Sequence, residues 1–260
     1  MKIISWNVNG IRAVAKKGFH DFVTQYNPDI LCIQETKAFE DQFLKDVGEL
    51  EGYSYIWHSG ERPGYAGTAI FYRSSLEILE QKNTFEGIDH FHTDGRVTQI
   101  ETPDFVLLNG YFPNGGTRAD GTEMLTYKLD FYNHLIDYCN ALKESGKEII
   151  ITGDFNICHQ AIDIARPKEN EKTIGFLPIE REKIGEFFIN GYTDVWREKN
   201  PDLSDVYSWW SVRAGARPRN VGWRIDYFAV TDNILKKVDN IKYLTDVMGS
   251  DHCPVMLELK

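Results

Sequence analysis

Apolar runs in this chain repeatedly stop at an acid or an amide. Ile3-Ile4-Ser5-Trp6-Asn7, Ile30-Leu31-Cys32-Ile33-Gln34-Glu35, Ile149-Ile150-Ile151-Thr152-Gly153-Asp154 and Val247-Met248-Gly249-Ser250-Asp251 all follow this pattern. A buried strand that ends this way delivers its last polar side chain to the rim of a sheet, where water and a ligand reach it. If the rims meet, Asn7, Glu35, Asp154 and Asp251 form an oxygen-rich, electronegative site of the kind Mg²⁺ requires. His252 directly follows Asp251 and adds a group that titrates near neutrality. The pattern predicts metal-assisted hydrolysis.

Three further positions belong with this set. Asn156 lies two residues beyond Asp154, and alternation across Phe155 turns both polar side chains to one side. One is then placed to orient a water and the other to donate to a phosphate oxygen. Asp226 interrupts the otherwise buried run Ile225-Asp226-Tyr227-Phe228, and an unpaired buried carboxylate costs several kcal/mol, so it requires a partner. Arg224 and His252 both qualify. Tyr111, in Gly110-Tyr111-Phe112-Pro113-Asn114, is either a core aromatic or a phenol facing the rim.

The elements that must position these residues follow from periodicity. Residues 2–8 read as a strand, 11–26 as an amphipathic helix with Ile11, Val14, Phe19, Phe22, Val23 and Tyr26 on one face, and 30–34 as a second strand. Strand-like runs recur at 53–57, 68–73, 76–80, 96–101 and 105–111, separated by Gly and Pro signals. The middle repeats the opening: a strand to Phe112, a polar loop over 114–121, a helix over 123–143 and a strand over 148–152 leading to Asp154. A helix near 178–189 and strands near 224–230 and 254–259 follow. Many strands with few helices predict an α+β, four-layer sandwich: two packed sheets with helices outside, in one domain spanning 1–260.

Composition narrows the class. An apolar content of 42% with 13% aromatics fits a globular core. No apolar run reaches the ~18 residues of a membrane-spanning helix, and Met1-Lys2-Ile3-Ile4 leads straight into a strand with no targeting segment. The four cysteines are widely spaced without a CxxC pair, which suggests neither disulfides nor zinc. A reducing intracellular setting is the expectation. A formal net charge of −10 argues against an indiscriminate nucleic-acid coat. The segment 213–224 is the exception: Arg213, Arg217, Arg219 and Arg224 alternate with aromatics near Trp209, Trp210 and Trp223, a mixture suited to phosphates and unstacked bases.

Taken together, Ser5-Trp6-Asn7-Val8-Asn9-Gly10-Ile11-Arg12, Gln34-Glu35-Thr36-Lys37, Gly64-Tyr65-Ala66-Gly67, Gly110-Tyr111-Phe112-Pro113-Asn114, Gly153-Asp154-Phe155-Asn156, Gly222-Trp223-Arg224-Ile225-Asp226-Tyr227-Phe228 and Ser250-Asp251-His252-Cys253-Pro254 resemble the signature blocks of the exonuclease III family of apurinic/apyrimidinic (AP) endonucleases. The blocks occur in family order from Ser5 to Pro254. The resemblance implies a DNase I-like sandwich and a Mg²⁺-dependent cut, Mn²⁺ substituting, on the 5′ side of an abasic site in double-stranded DNA. A 3′-hydroxyl remains, and 3′–5′ exonuclease and 3′-phosphodiesterase or phosphatase action on blocked 3′ ends accompany it. It further implies an intracellular, DNA-associated monomer.

By position, the resemblance makes Glu35 a metal ligand with Asn7, Asp251, Asp154 and Asn156 nearby. Asp154 handles the attacking water, Asn156 and Tyr111 steady the phosphate, and His252, held by Asp226, stabilises phosphoryl charge. Trp209, Trp223 and Ile225 wall the pocket for the base-less sugar, and Tyr65, Arg96, Asn114, Arg118 and Arg213 contact DNA. Asn9 stands where some relatives carry a second acid, and Arg213 where some place an apolar wedge. The competing expectation is another metal phosphoesterase of the same fold, sphingomyelinase- or inositol-phosphatase-like.

Overall fold

In the computed structural model, which describes residues 1–83, 85 and 89–260, the alternating runs assemble into two mixed six-stranded sheets. The first contains β1 (Lys2–Asn7), β2 (Ile30–Gln34), β3 (Tyr53–His58), β4 (Thr68–Arg73), β11 (Val238–Tyr243) and β12 (Val255–Leu259), in the order β11-β12-β1-β2-β4-β3. The second contains β5 (Glu80–Lys82), β6 (Val97–Glu101), β7 (Val106–Tyr111), β8 (Ile149–Asp154), β9 (Thr193–Asp194) and β10 (Asp226–Val230), in the order β5-β6-β7-β8-β10-β9. β1 with β2 and β7 with β8 are parallel; the other pairings are antiparallel.

The two-residue period decides the layering. Ile3, Ile30, Cys32, Leu107, Ile150 and Phe228 share a core between the sheets. Their neighbours point outward. Ile4, Trp6, Leu31 and Ile33 pack under α1 (Ile11–Ala15), α2 (Phe19–Tyr26) and α3 (Glu40–Asp46), and Val106, Leu108, Ile149 and Ile151 pack under α4 (Leu125–Glu144) and, beyond the short α5 (Pro167–Asn170), α6 (Pro178–Ile189). The short helices α7 (Val195–Lys199) and α8 (Asp232–Lys237) precede β10 and β11 respectively. A polar network crosses the inter-sheet layer. Gln34 donates to Ser5 Oγ (2.9 Å) and Asn109 Oδ1 (2.6 Å), while Asn109 donates to Thr98 Oγ1 (3.1 Å) and two strand carbonyls. Gln34 Oε1 accepts no hydrogen bond, but the bonds from Gln34 to Asn109 and from Asn109 to Ile33 O and Ala69 O tether one sheet to the other.

Three expectations change. The helix foreseen over 11–26 is two helices, because Gly18 takes a left-handed φ of 99° and turns the chain between them. Both pieces still bury their apolar face in one cluster. The strand expected at 76–80 is displaced to Glu80–Lys82, since the residues after Ser74-Ser75 turn back, with Leu76 N–H bonding Arg73 O. Val247–Asp251 is not a strand end: it is the loop into β12, so Asp251 and His252 reach the rim from the start of an antiparallel strand. No helix among the described residues is long and apolar enough to cross a membrane. The four cysteines are buried and unbridged.

Candidate active site

Strand register brings the polar ends together. In the second sheet Asp154 lies opposite Tyr111 on one side and Asp226 on the other. In the first, Asn7 pairs with Gln34, and Ser250 Oγ donates to Asn7 O (2.7 Å), drawing the Asp251 loop onto the same rim. Asn7 closes the gap between sheets: its Nδ2 donates to Glu35 Oε1 (2.9 Å) and Asp154 Oδ2 (2.8 Å). A glycine is obligatory beside this point. At Gly153, with φ 134°, a Cβ would lie 1.9 Å from Gly110 O on the neighbouring strand.

The turns leaving the strands are strained beside these polar ends. Glu35 (φ 52°), Asn156 (φ 52°) and Asn9 (φ 47°) adopt the left-handed conformation. Asn tolerates this; Glu rarely does, at a cost of about 1–2 kcal/mol. Gly10 N–H donates to Glu35 O (2.8 Å), Thr36 N–H to Gly67 O (3.0 Å) and Asn156 N–H to Asp154 Oδ1 (2.9 Å), so the surrounding loops hold the strained residues in place.

His252 is the cationic counterpart. Its Nδ1 lies 2.8 Å from Asp226 Oδ2 and its Nε2 3.8 Å from Asp154 Oδ2. Burial pulls the imidazole pKa down, but the carboxylates of Asp226 and Asp154 outweigh it and raise the value to about 10. The carboxylates thereby favour the imidazolium, with Nδ1–H on Asp226 and Nε2 turned towards Asp154. Burial pushes Asp154 up to about 7, His252 opposing and Asp226 and Glu35 adding to the rise. Burial, reinforced by the Glu35 charge, lifts the Tyr111 phenol well above its ordinary range.

Glu35, Asp154 and His252 each offer one donor atom within 4.8 Å of the others. Two carboxylates so close need a positive charge between them. Lys37 Nζ, 2.7 Å from Glu35 Oε2, already supplies one on the outer side. The hard oxygen donors fit a divalent cation such as Mg²⁺ or Mn²⁺. Asn7 is turned to orient the carboxylates, its own Oδ1 accepting from Asn9 N–H (3.0 Å). Both Asp251 oxygens are engaged, by Asn9 Nδ2 (2.8 Å) and Trp209 Nε1 (3.0 Å). Burial raises the Asp251 pKa, but His252 and these two donors outweigh it and hold the carboxyl below its usual range.

A cleft of about 260 Å³ opens above this cluster. Glu35, Tyr111, Asn114, Asp154, Asn156, Asp251 and His252 form its polar side, and Trp209, Trp223 and Ile225 its apolar wall. The two indoles meet edge to face at 5.8 Å and 87°. Asn114 Nδ2 donates to Asn156 Oδ1 (3.2 Å), and Asn156 Nδ2 to Phe112 O (2.9 Å).

The remaining sequence candidates separate by exposure. Asn114, Arg118 and Arg213 are exposed beside the cleft or its loops. Arg96 is buried at the base of an adjoining depression that Tyr65, Asn114 and Arg118 also line. Its guanidinium donates to Asp94 (2.9 Å), Tyr65 Oη (2.7 Å) and Tyr111 O (3.1 Å), so it fixes two tyrosines of the face. The Trp–Arg segment is not a uniform binding strip. Arg224 is fully buried between Asp163 and Asp194 and not paired with Asp226, Arg217 ties down the carbonyls of Thr245, Val247 and Ser250, and Trp210 is a core residue.

Sequence reading missed Thr173, Ile174 and Gly175, which line the cleft, and Lys128, buried beneath it. The loop residues carry no chemical signature. Lys128 does leave one, as a lone cation on the apolar face formed by Phe131, Tyr132, Leu135 and Cys139.

With this geometry in hand, the comparisons are consistent with one another. Residues 4–252 match the Endonuclease/Exonuclease/phosphatase family. The chain is 40% identical over 258 residues to an exodeoxyribonuclease of Bacillus subtilis (strain 168), covering 99% of this chain and 98% of the relative. It is 38% identical over 266 residues to the DNA repair nuclease APEX1 of Danio rerio, covering 100% and 82%. The crystal structure of the AP endonuclease LMAP from Leishmania major aligns with a TM-score of 0.87 at 30% identity, covering 98% of this chain and 86% of that one.

Proposed function

The chain belongs to the endonuclease/exonuclease/phosphatase family, and from that premise we propose that it is a DNA-repair AP endonuclease. It hydrolyses the phosphodiester 5′ to an abasic site in duplex DNA, leaves a 3′-hydroxyl, and trims blocked or undamaged 3′ ends with the same site. The observation that carries this reading is the convergence of Glu35, Asp154 and His252 within 4.8 Å at the foot of a cleft walled by Trp209, Trp223 and Ile225. An intracellular monomer acting on DNA is part of the same proposal; the names of the relatives support the action on DNA.

In this reading Glu35 and Asp154 would hold Mg²⁺ or Mn²⁺, which would supply charge neutralisation at the phosphate. Asp154, desolvated and hydrogen-bonded by Asn7 and the Asn156 amide, orients the attacking water. His252, kept protonated by Asp226, faces the phosphoryl oxygens with Nε2–H. Asn114, Asn156 and the Tyr111 phenol add neutral donors fixed before substrate arrives, and such preorganisation is where phosphoryl transfer gains most. Selectivity has a physical source too. A nucleotide without a base costs little to extrude, and the apolar indole wall suits a bare sugar better than one that carries a base.

The deciding experiment is a duplex with a single tetrahydrofuran site, incubated with the protein and Mg²⁺. The reading expects one incision on the 5′ side of the lesion; an intact strand refutes it.

A further inference from the structure

Beneath the cleft lies an ion pair that the chemistry above does not use. Lys128, on α4, and Glu180, in the first turn of α6, are both fully buried, with Nζ and Oε1 2.6 Å apart. A buried pair of this kind is weak evidence for stability, since desolvation cancels much of the attraction. Its other bonds show what it holds. Lys128 Nζ donates to the main-chain carbonyls of Asn114 (3.0 Å) and Asn156 (2.8 Å). Glu180 Oε2 accepts from the N–H groups of Gly175 (2.6 Å) and Leu177 (3.1 Å). One pair of side chains therefore clamps the three loops that carry Asn114, Asn156 and Gly175.

Neither end of the clamp has slack. A Cβ at Gly115 would lie 2.8 Å from Lys128 Cδ, and a Cβ at Gly175 2.9 Å from the Trp223 ring and 3.2 Å from Asn156 O. Movement of the Gly175 loop is thereby passed to Trp223, and movement of Lys128 to both asparagines. We propose that Lys128 and Glu180 are positioning residues: they set the distance between the Asn114–Asn156 donor pair and the Trp223 wall, so that scissile phosphate and extruded sugar are seated together. This rests on the phosphodiesterase reading above. A misplacement of about 1 Å can cost on the order of 10²-fold in rate, so the clamp acts on turnover more than on binding.

The test compares Lys128→Met with Lys128→Met/Glu180→Gln. The single variant strands a buried carboxylate and melts at a lower temperature; the double variant removes both charges. Initial rates are taken on the tetrahydrofuran duplex at a temperature where circular dichroism shows each protein folded. We expect both variants to lose about 10- to 100-fold in kcat, with KM and the affinity for the duplex in EDTA within about threefold of wild type. A double variant with wild-type kcat would reduce the pair to charge burial and overturn the assignment, as would a loss confined to KM. Failure of the wild-type protein to cut the duplex counts against the endonuclease reading instead.

Discussion

Replacing Trp223 by alanine tests the pocket directly, because the structure separates what the side chain does from what its backbone does. Trp223 N–H bonds Trp209 O, and Trp223 O accepts from Ser208 and Trp209 N–H, all at 2.9 Å, and alanine keeps all three. The side chain is half-buried and contributes the edge-to-face contact with Trp209, worth about 0.5–1.5 kcal/mol. The stability cost therefore falls below the ~3–5 kcal/mol of a core tryptophan. The functional cost is separate. An apolar wall that excludes a base-bearing sugar discriminates by about 1–3 kcal/mol, or roughly 10- to 200-fold. Trp223→Ala should lower kcat/KM on a tetrahydrofuran duplex by a factor in that range. Trimming of an undamaged 3′ end, which needs the phosphate machinery but not a tight sugar pocket, should change by about threefold or less. Steady-state rates on the two substrates measure the ratio. Equal losses on both would refute the argument that the indole walls select for an abasic sugar.

The remaining predictions address chemistry, cation and fold. Asp154→Asn and His252→Asn should each reduce incision by about 10²–10⁴-fold while binding of abasic duplex in EDTA persists; cutting at the wild-type rate would show the roles misassigned. A chelator should abolish cleavage, Mg²⁺ or Mn²⁺ should restore it, and Glu35→Gln should weaken cation binding in calorimetry, an undiminished binding isotherm counting against Glu35 as a ligand. Burial raises the Asp163 pKa, but Arg224 and Arg197 outweigh it and hold the carboxyl below its ordinary value. Its stabilisation is then complete above about pH 4 and lost as pH falls through the depressed value. Asp163→Asn should lose about 3–5 kcal/mol at neutral pH and flatten the acid limb of the urea-midpoint profile below about pH 4; parallel limbs would dispose of the linkage.

The parts of the fold that could be read from sequence are those whose cause is local. Near-continuous apolar runs located β1, β2, β4, β7, β8, β10 and β12 to within one or two residues, since a strand covered on both faces must be apolar on both. Pro178 at the start of α6 announced that helix. The short elements α3, α7, α8 and β9 and the exposed edge strand β11, with its buried–exposed pattern interrupted by a bulge, carry too little periodicity to stand out. The end of β2 was legible because Glu35 followed five buried residues. The loop before β12 was misread because Val247-Met248 imitates a strand while Met248 is largely exposed.

The residues proposed for the chemistry stood out in the sequence for the same reason the Lys128–Glu180 pair did not. Glu35, Asp154 and Asp226 stand out as charges set in or ending apolar runs, and His252 as a titratable group beside Asp251. Their mutual distances depend on groups that sequence leaves unmarked: an Asn7 amide bridging two sheets, an Arg96 seating two tyrosines, and the Lys128–Glu180 pair under three loops. The charge distribution shows the same logic. A protein of net charge −10 gathers four carboxylates around one cleft. Its basic groups sit at the margins: Arg12, Lys16 and Lys37 line the groove on the Glu35 side, and exposed Arg118 and Arg213 lie on other loops. A polyanion is thus attracted by the rim and repelled by the floor, so its phosphate can reach Asp154 only when a cation and His252 share the floor with it. On the proposed function, acidity at the centre works as a filter: without a cation, a duplex held by the marginal bases is repelled by the interior.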